Sequence, residues 1–138
     1  MRTLILNIFS LFLALSGINA QNKSVESARV AFITQKINLT PVQAEKFWPV
    51  YNEFYTRKKE IKRTIRSVHK QLSENQDLSA DKIKQSIVQI NNLKQEEVNI
   101  EKEYTNRFLI ILTPRQLADL ILAEREFQKI LIKKVSED

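Results

Sequence analysis

From Ala44 onward, apolar residues recur at alternating intervals of three and four: Ala44, Phe47, Tyr51, Phe54, Ile61, Ile65, Val68 and Leu72, with Lys58 filling the one gap. That period puts them on one stripe of an α-helix and predicts a seam against a second helix. Unbroken from Pro41 to Leu72, such a helix measures about 48 Å at about 1.5 Å per residue. Pro49 cannot donate to the carbonyl of Glu45 and crowds the preceding turn, which predicts a kink or break near Trp48. The polar stretch SENQDLSAD then reads as the tip of a hairpin, with Ser79 as a helix cap and Leu78 and Ile83 placed to staple across it.

A third helix is predicted from Ala80 to about Leu112 on Ile83, Ile87, Ile90, Tyr104, Phe108 and Ile111, its seam running through Lys94, Glu97 and Glu101. Folding the hairpin near residue 77 brings Lys58 level with Lys94 and Glu97, so a Lys58–Glu97 contact is expected where both seams turn polar. Shorter periodic segments flank the hairpin. One runs from Ser24, read as a cap, to Ile37 on Val25, Ala28, Ala31, Phe32 and Gln35; the other runs through Leu120, Ile121, Phe127, Ile130 and Leu131 to the basic pair Lys133 and Lys134. The fold class expected is all-α: four helices with a long central helical hairpin, kinked near Pro49.

Two helix starts share one signature. In LTPVQ, Thr40 is placed as N-cap, Pro41 at the first helical position and Gln43 at the third; in LTPRQ, Thr113, Pro114 and Gln116 repeat the arrangement. A threonine hydroxyl then accepts from the third residue's backbone while the glutamine side chain reaches back to the cap, a capping box. Leu112 is further placed to staple onto Leu117.

The first twenty residues change the setting. MRTLILNIFSLFLALSGINA runs from Arg2 through an apolar stretch to Ala20, the layout of a secretory signal peptide, and its apolar run is shorter than the roughly twenty residues a bilayer core needs. Cleavage is expected near Ala20, leaving residues 21–138 as a single helical domain. With no cysteine in the chain, lipid anchoring and disulfides are both excluded. Removing residues 1–20 takes the only glycine, the only methionine and one of 22 basic residues, against 16 acidic ones that all remain, so the exported chain stays basic.

Lack of glycine argues against phosphate-cradling loops and nucleophile elbows, which need positive φ or a close backbone approach. No histidine stands at a suggestive spacing from a serine or threonine, so no catalytic residues are assigned and no cofactor is expected. One histidine, His69, with neither cysteine nor methionine beside it, gives no metal site.

The basic run RKKEIKRTIRSVHK, from Arg57 to Lys70, holds seven Lys/Arg and one Glu, with Lys59, Lys62, Arg63, Arg66 and Lys70 along one helix face. Such a face holds acidic or partly unfolded chains by charge and then by apolar contact; as plain solvated surface it needs no partner. Trp48 and Tyr55 are expected to be partly exposed or at an interface, whereas Phe47, Tyr51 and Phe54 belong to the core. Nucleic acid fits poorly, since no aromatic interleaves with the basic run; weak contact with an anionic membrane surface remains open.

The paired signatures, Leu39, Thr40, Pro41 and Gln43 with Leu112, Thr113, Pro114 and Gln116, resemble the LTxxQ motifs of the Spy/CpxP-type periplasmic proteins. QAEKFWPVYNEF around the first is similar to small exported proteins of Bacteroidetes-type bacteria. The resemblance implies a thin helical subunit in a cradle-shaped homodimer, located in the periplasm. It also implies work without ATP, as a holdase for unfolded envelope proteins or as a regulatory module binding a stress sensor's periplasmic domain. The motif residues themselves are expected to be architectural.

Overall fold

A computed structural model describes residues 23–137, and the expected signal peptide, residues 1–20, lies outside them. The described chain is all-α, with four helices: α1 over 23–37, α2 over Pro41–Glu74, α3 over Ala80–Leu109 and α4 over Pro114–Glu137. It divides into two compact units, one formed by Thr40–Leu117 and the other by the segments on either side.

Within the Thr40–Leu117 unit, α2 and α3 are antiparallel. The α2 seam is the one the periodicity marks: Phe47, Tyr51, Ile61 and Val68 are buried, while Ala44, Phe54, Lys58, Ile65 and Leu72 are half-buried. Pro49 stands exposed inside α2, and one helix continues on both sides of it. The α3 seam departs from expectation. Ile90, Ile100, Tyr104 and Phe108 are buried with Leu93 and Glu97 half-buried, so the seam passes through Leu93 and Ile100 rather than Lys94 and Glu101. Leu93 and Ile100 keep the same three-four spacing and place apolar side chains where a polar middle was expected, which hydrophobic burial favours. Ile83 and Ile87, read as seam residues, are exposed.

Aromatic rings fill the base of the hairpin. Phe47 lies 5.6 Å from Phe108, Phe54 lies 5.1 Å from Tyr104, and Tyr51 stacks on Phe47 at 5.4 Å. Offset and tilted pairs at these distances suit the ring quadrupoles. At the tip, Asn75 caps α2, and Ser79 accepts from the Lys82 backbone to start α3.

In the other unit, α1 packs Ile33 and Ile37 with Leu120, Ala123 and Phe127 of α4 in its core. Phe32 lies 5.6 Å from Phe127, and the Arg29 guanidinium sits 5.3 Å above the Phe127 ring. The inward stripe of α1 is therefore Val25, Arg29, Phe32, Ile33 and Ile37; Ala28, Ala31 and Gln35 face outward, and Ser24 lies inside the helix rather than capping it. The periodic reading missed this because Arg29, buried through its stem and ring contact, occupies an inward position. Asn38 ends α1 at φ 48°, a left-handed stop that asparagine tolerates better than most residues other than glycine. On α4, Ile121 and Ile130, expected in the stripe, are exposed.

Candidate functional site

Both capping boxes form as the signatures dictate. The Thr40 hydroxyl accepts from Gln43 N at 3.2 Å while Thr40 N donates to Gln43 Oε1 at 3.1 Å. Thr113 and Gln116 repeat this at 3.2 and 3.0 Å. The two boxes then join. Gln43 Nε2 donates to Gln116 Oε1 at 2.9 Å, and Gln116 Nε2 donates back to Gln43 Oε1 at 3.1 Å. Gln43 Nε2 also donates to the Ile111 carbonyl at 3.1 Å, tying the start of α2 to the turn after α3. Leu112 is buried, Leu39 is half-buried, and Pro41 and Pro114 each open a helix. Every one of these contacts serves helix starts and their junction.

The α2–α3 hairpin has two flanks of different character. On one, the Arg107 guanidinium makes a bidentate pair with Glu53 at 2.8 and 3.1 Å, and Arg57 donates to Glu103 at 2.9 Å. Tyr104 lies buried beneath, its ring 4.5 Å from the Arg107 and 5.6 Å from the Arg57 guanidinium. Hydrogen bonding from Arg107 holds the Glu53 carboxyl down from the usual 4.5 to about 2. Burial pushes the Tyr104 phenol up. A shallow groove of about 230 Å³ on this side is lined by Arg57, Glu60, Thr64 and Glu96 over Ile61, Leu93 and Ile100. Charges here largely neutralise one another.

The other flank is basic. Lys58 reaches both Glu97, at 3.6 Å, and Glu101; Lys62 meets Glu97 at 3.6 Å, so the expected Lys58–Glu97 contact is present. These pairs fix which side of each helix faces which. On α2, helical spacing carries Trp48, Tyr55, Lys59, Lys62, Arg66 and Lys70 along that side, with Arg63 just outside it. On α3, stepping by three, four and seven from Glu101 gives Val98, Lys94, Ile87 and Ile83 on the same side. Ile83, Ile87 and Val98 are 40, 51 and 42 % exposed, large values for aliphatic side chains.

No family model, characterised protein or solved structure matches the chain.

Of the residues expected to bind, Lys59, Arg63, Arg66 and Lys70 are exposed, whereas Trp48, Tyr55 and Lys62 are half-buried. Trp48 packs edge-on to Phe47 at 4.9 Å, and Tyr55 stacks on Tyr51 at 6.3 Å, so each keeps one side of its ring at the surface. Lys62 is held by Glu97, and Lys70 lies 3.8 Å from Glu74. Lys59, Arg63 and Arg66 have no ion-pair partner among the described residues. The α3 half of this face, Ile83, Ile87, Lys94 and Val98, escaped the sequence reading. Its signal was present in Leu93 and Ile100: once these take the seam, Ile87 and Val98 must turn outward.

Among the described residues, no group of three or more His, Cys, Asp or Glu side chains is placed to hold a metal ion, and no helix is long and apolar enough to cross a membrane.

Proposed function

We propose that this chain is a non-enzymatic, ATP-independent holding protein of the periplasm, related to the Spy/CpxP type, that binds non-native envelope proteins on the basic flank of the α2–α3 hairpin. One observation carries the reading. Lys59 and Arg66, with Arg63 beside them, have no acidic partner among the described residues, and they lie along the same flank as the exposed side chains of Ile83, Ile87 and Val98. A basic row attracts an acidic chain over several ångströms, and an adjoining aliphatic row then buries its apolar side chains at roughly 25 cal/mol per Å². The opposite flank, with Glu53, Arg57, Glu103 and Arg107 already paired, offers less to a charged partner.

The working form is a cradle-shaped homodimer, as the resemblance carried by the paired Thr-Pro-x-Gln signatures implies, and Pro49 bends α2. Suppression of aggregation of an unfolded acidic envelope protein, followed by light scattering without nucleotide, tests the proposal. The wild-type chain suppresses aggregation at equimolar ratio, added salt weakens the effect, and Arg63→Glu with Arg66→Glu removes most of it. No suppression at that ratio overturns the reading; tight binding to a single folded sensor domain instead assigns the face to stress signalling.

A further inference from the structure

We infer that the partner segment held on the basic flank is an acidic amphipathic helix laid along the hairpin, not an extended chain. The inference rests on the reading of that flank as a binding surface and specifies what it selects.

The backbone decides between the two forms. Apart from their ends and the Glu45 carbonyl that Pro49 cannot serve, α2 and α3 satisfy their own N–H and C=O groups, so the flank along Lys59–Lys70 offers a ligand no backbone partners. An extended segment lying on Ile83, Ile87 and Val98 would take its own peptide groups out of water without hydrogen bonds, which costs about 1–3 kcal/mol for each buried group. A helix brings its backbone already paired. It presents only side chains, and these are what the flank can bind.

The spacing of the rows agrees. Lys59, Lys62, Arg66 and Lys70 advance by three or four residues, about one helical turn of roughly 5.4 Å each. Ile83 and Ile87 on α3 keep the same interval, and Lys94 and Val98 repeat it higher up. A ligand helix shares that pitch, whereas same-side residues of a strand repeat at about 6.6 Å and drift out of step. Two helices packed at 8–10 Å leave a furrow between them that a third helix fills by ridges and grooves. Charge sets the ligand's sign: Lys59, Lys62, Arg66 and Lys94 face it with Arg63 at the margin, while Glu97 is engaged by Lys58 and Lys62 and Glu101 by Lys58. The stretch Lys59–Lys70 spans about 16 Å, so a helix of three to four turns covers it. Its acidic residues stand at i, i+4 and i+7 against α2, with Leu, Ile or Val on the neighbouring row against α3.

Fluorescence anisotropy with the full chain tests this, using four labelled peptides of about 15 residues: an acidic amphipathic helix former, its scrambled isomer, a version with central proline, and a version with lysine for glutamate. The helix former is expected to bind about ten-fold tighter than the scrambled and proline peptides, a difference of about 1.4 kcal/mol, and to gain helical circular dichroism on binding. The lysine peptide does not bind. Arg63→Glu and Ile87→Ser, both exposed positions, each weaken the helix former while leaving the protein's own spectrum unchanged. Equal binding of all acidic peptides, still weakened by Arg63→Glu, overturns helix selection and leaves the flank a charge-based binding surface. No peptide binding together with unaltered aggregation suppression in the Arg63→Glu chain overturns both readings. Displacement of the peptide by phosphatidylglycerol vesicles, or by self-association of the chain, overturns the helical ligand in favour of a lipid surface or a second copy.

Discussion

Gln43 and Gln116 exchange two amide hydrogen bonds, at 2.9 and 3.1 Å, while each side-chain oxygen also accepts from the backbone N–H of its own cap threonine. Each amide thus finishes one capping box and half of a bridge between two helix starts. Removing either leaves the other's donors and acceptor short of partners in a part-buried place. Gln43→Ala and Gln116→Ala are each expected to cost about 1–3 kcal/mol. The double variant costs less than their sum, with a coupling of about 0.5–3 kcal/mol. Urea unfolding of the four chains checks it; strict additivity would mean that the amides act only as separate caps.

The aromatic base of the hairpin depends on shape as well as area. Phe108 is buried and touches both Phe47 and Phe54 at ring distances of 5.6 Å. Phe108→Ala is expected to destabilise by about 3–5 kcal/mol, with Phe108→Leu well below that. Thermal unfolding of the two variants measures the difference.

Glu53 gives the hairpin a pH dependence of defined sign. Its carboxyl is held from 4.5 down to about 2, so its contribution is fully present above pH 4.5 and is lost as pH falls through about 2. Wild type and Glu53→Gln therefore differ in melting temperature at neutral pH, and the gap closes between pH 4.5 and 2. A gap that widens in acid would show that the carboxylate is not stabilised by Arg107.

Lys58 and Glu97 keep only 21 and 23 % of their side-chain surface exposed. Desolvation at that depth offsets much of their attraction. Replacing both, as Lys58→Met with Glu97→Leu, is expected to leave stability unchanged or raised, while Lys58→Met alone lowers it by leaving Glu97 with Lys62 as its remaining partner. Chemical denaturation of the two chains separates these outcomes.

Much of this architecture can be read from local pattern. The α2 seam is legible because eight apolar positions keep one period, and the two helix starts are legible because threonine, proline and glutamine act within four residues. Lys58 facing Glu97 follows from folding the hairpin at its polar tip. Other features depend on choices that pattern leaves open. On α3, Lys94 and Glu101 fit the period as well as Leu93 and Ile100 do, and only burial separates them; with that choice goes the outward turn of Ile87 and Val98. The inward stripe of α1 includes an arginine, which no apolar template selects. Gln43 and Gln116 are 73 positions apart, and their meeting depends on how the turn after α3 returns the chain to the start of α2.

The proposal that the basic flank holds non-native protein turns on where a client touches. Backbone and methyl NMR shifts of the full chain, recorded while an unfolded acidic protein is added, read this directly. Shifts are expected at Lys59, Arg63, Arg66, Ile83, Ile87 and Val98, with Glu53, Arg57, Glu103 and Arg107 unmoved. Shifts confined to the Glu53–Arg107 side, or none at all, would contradict it.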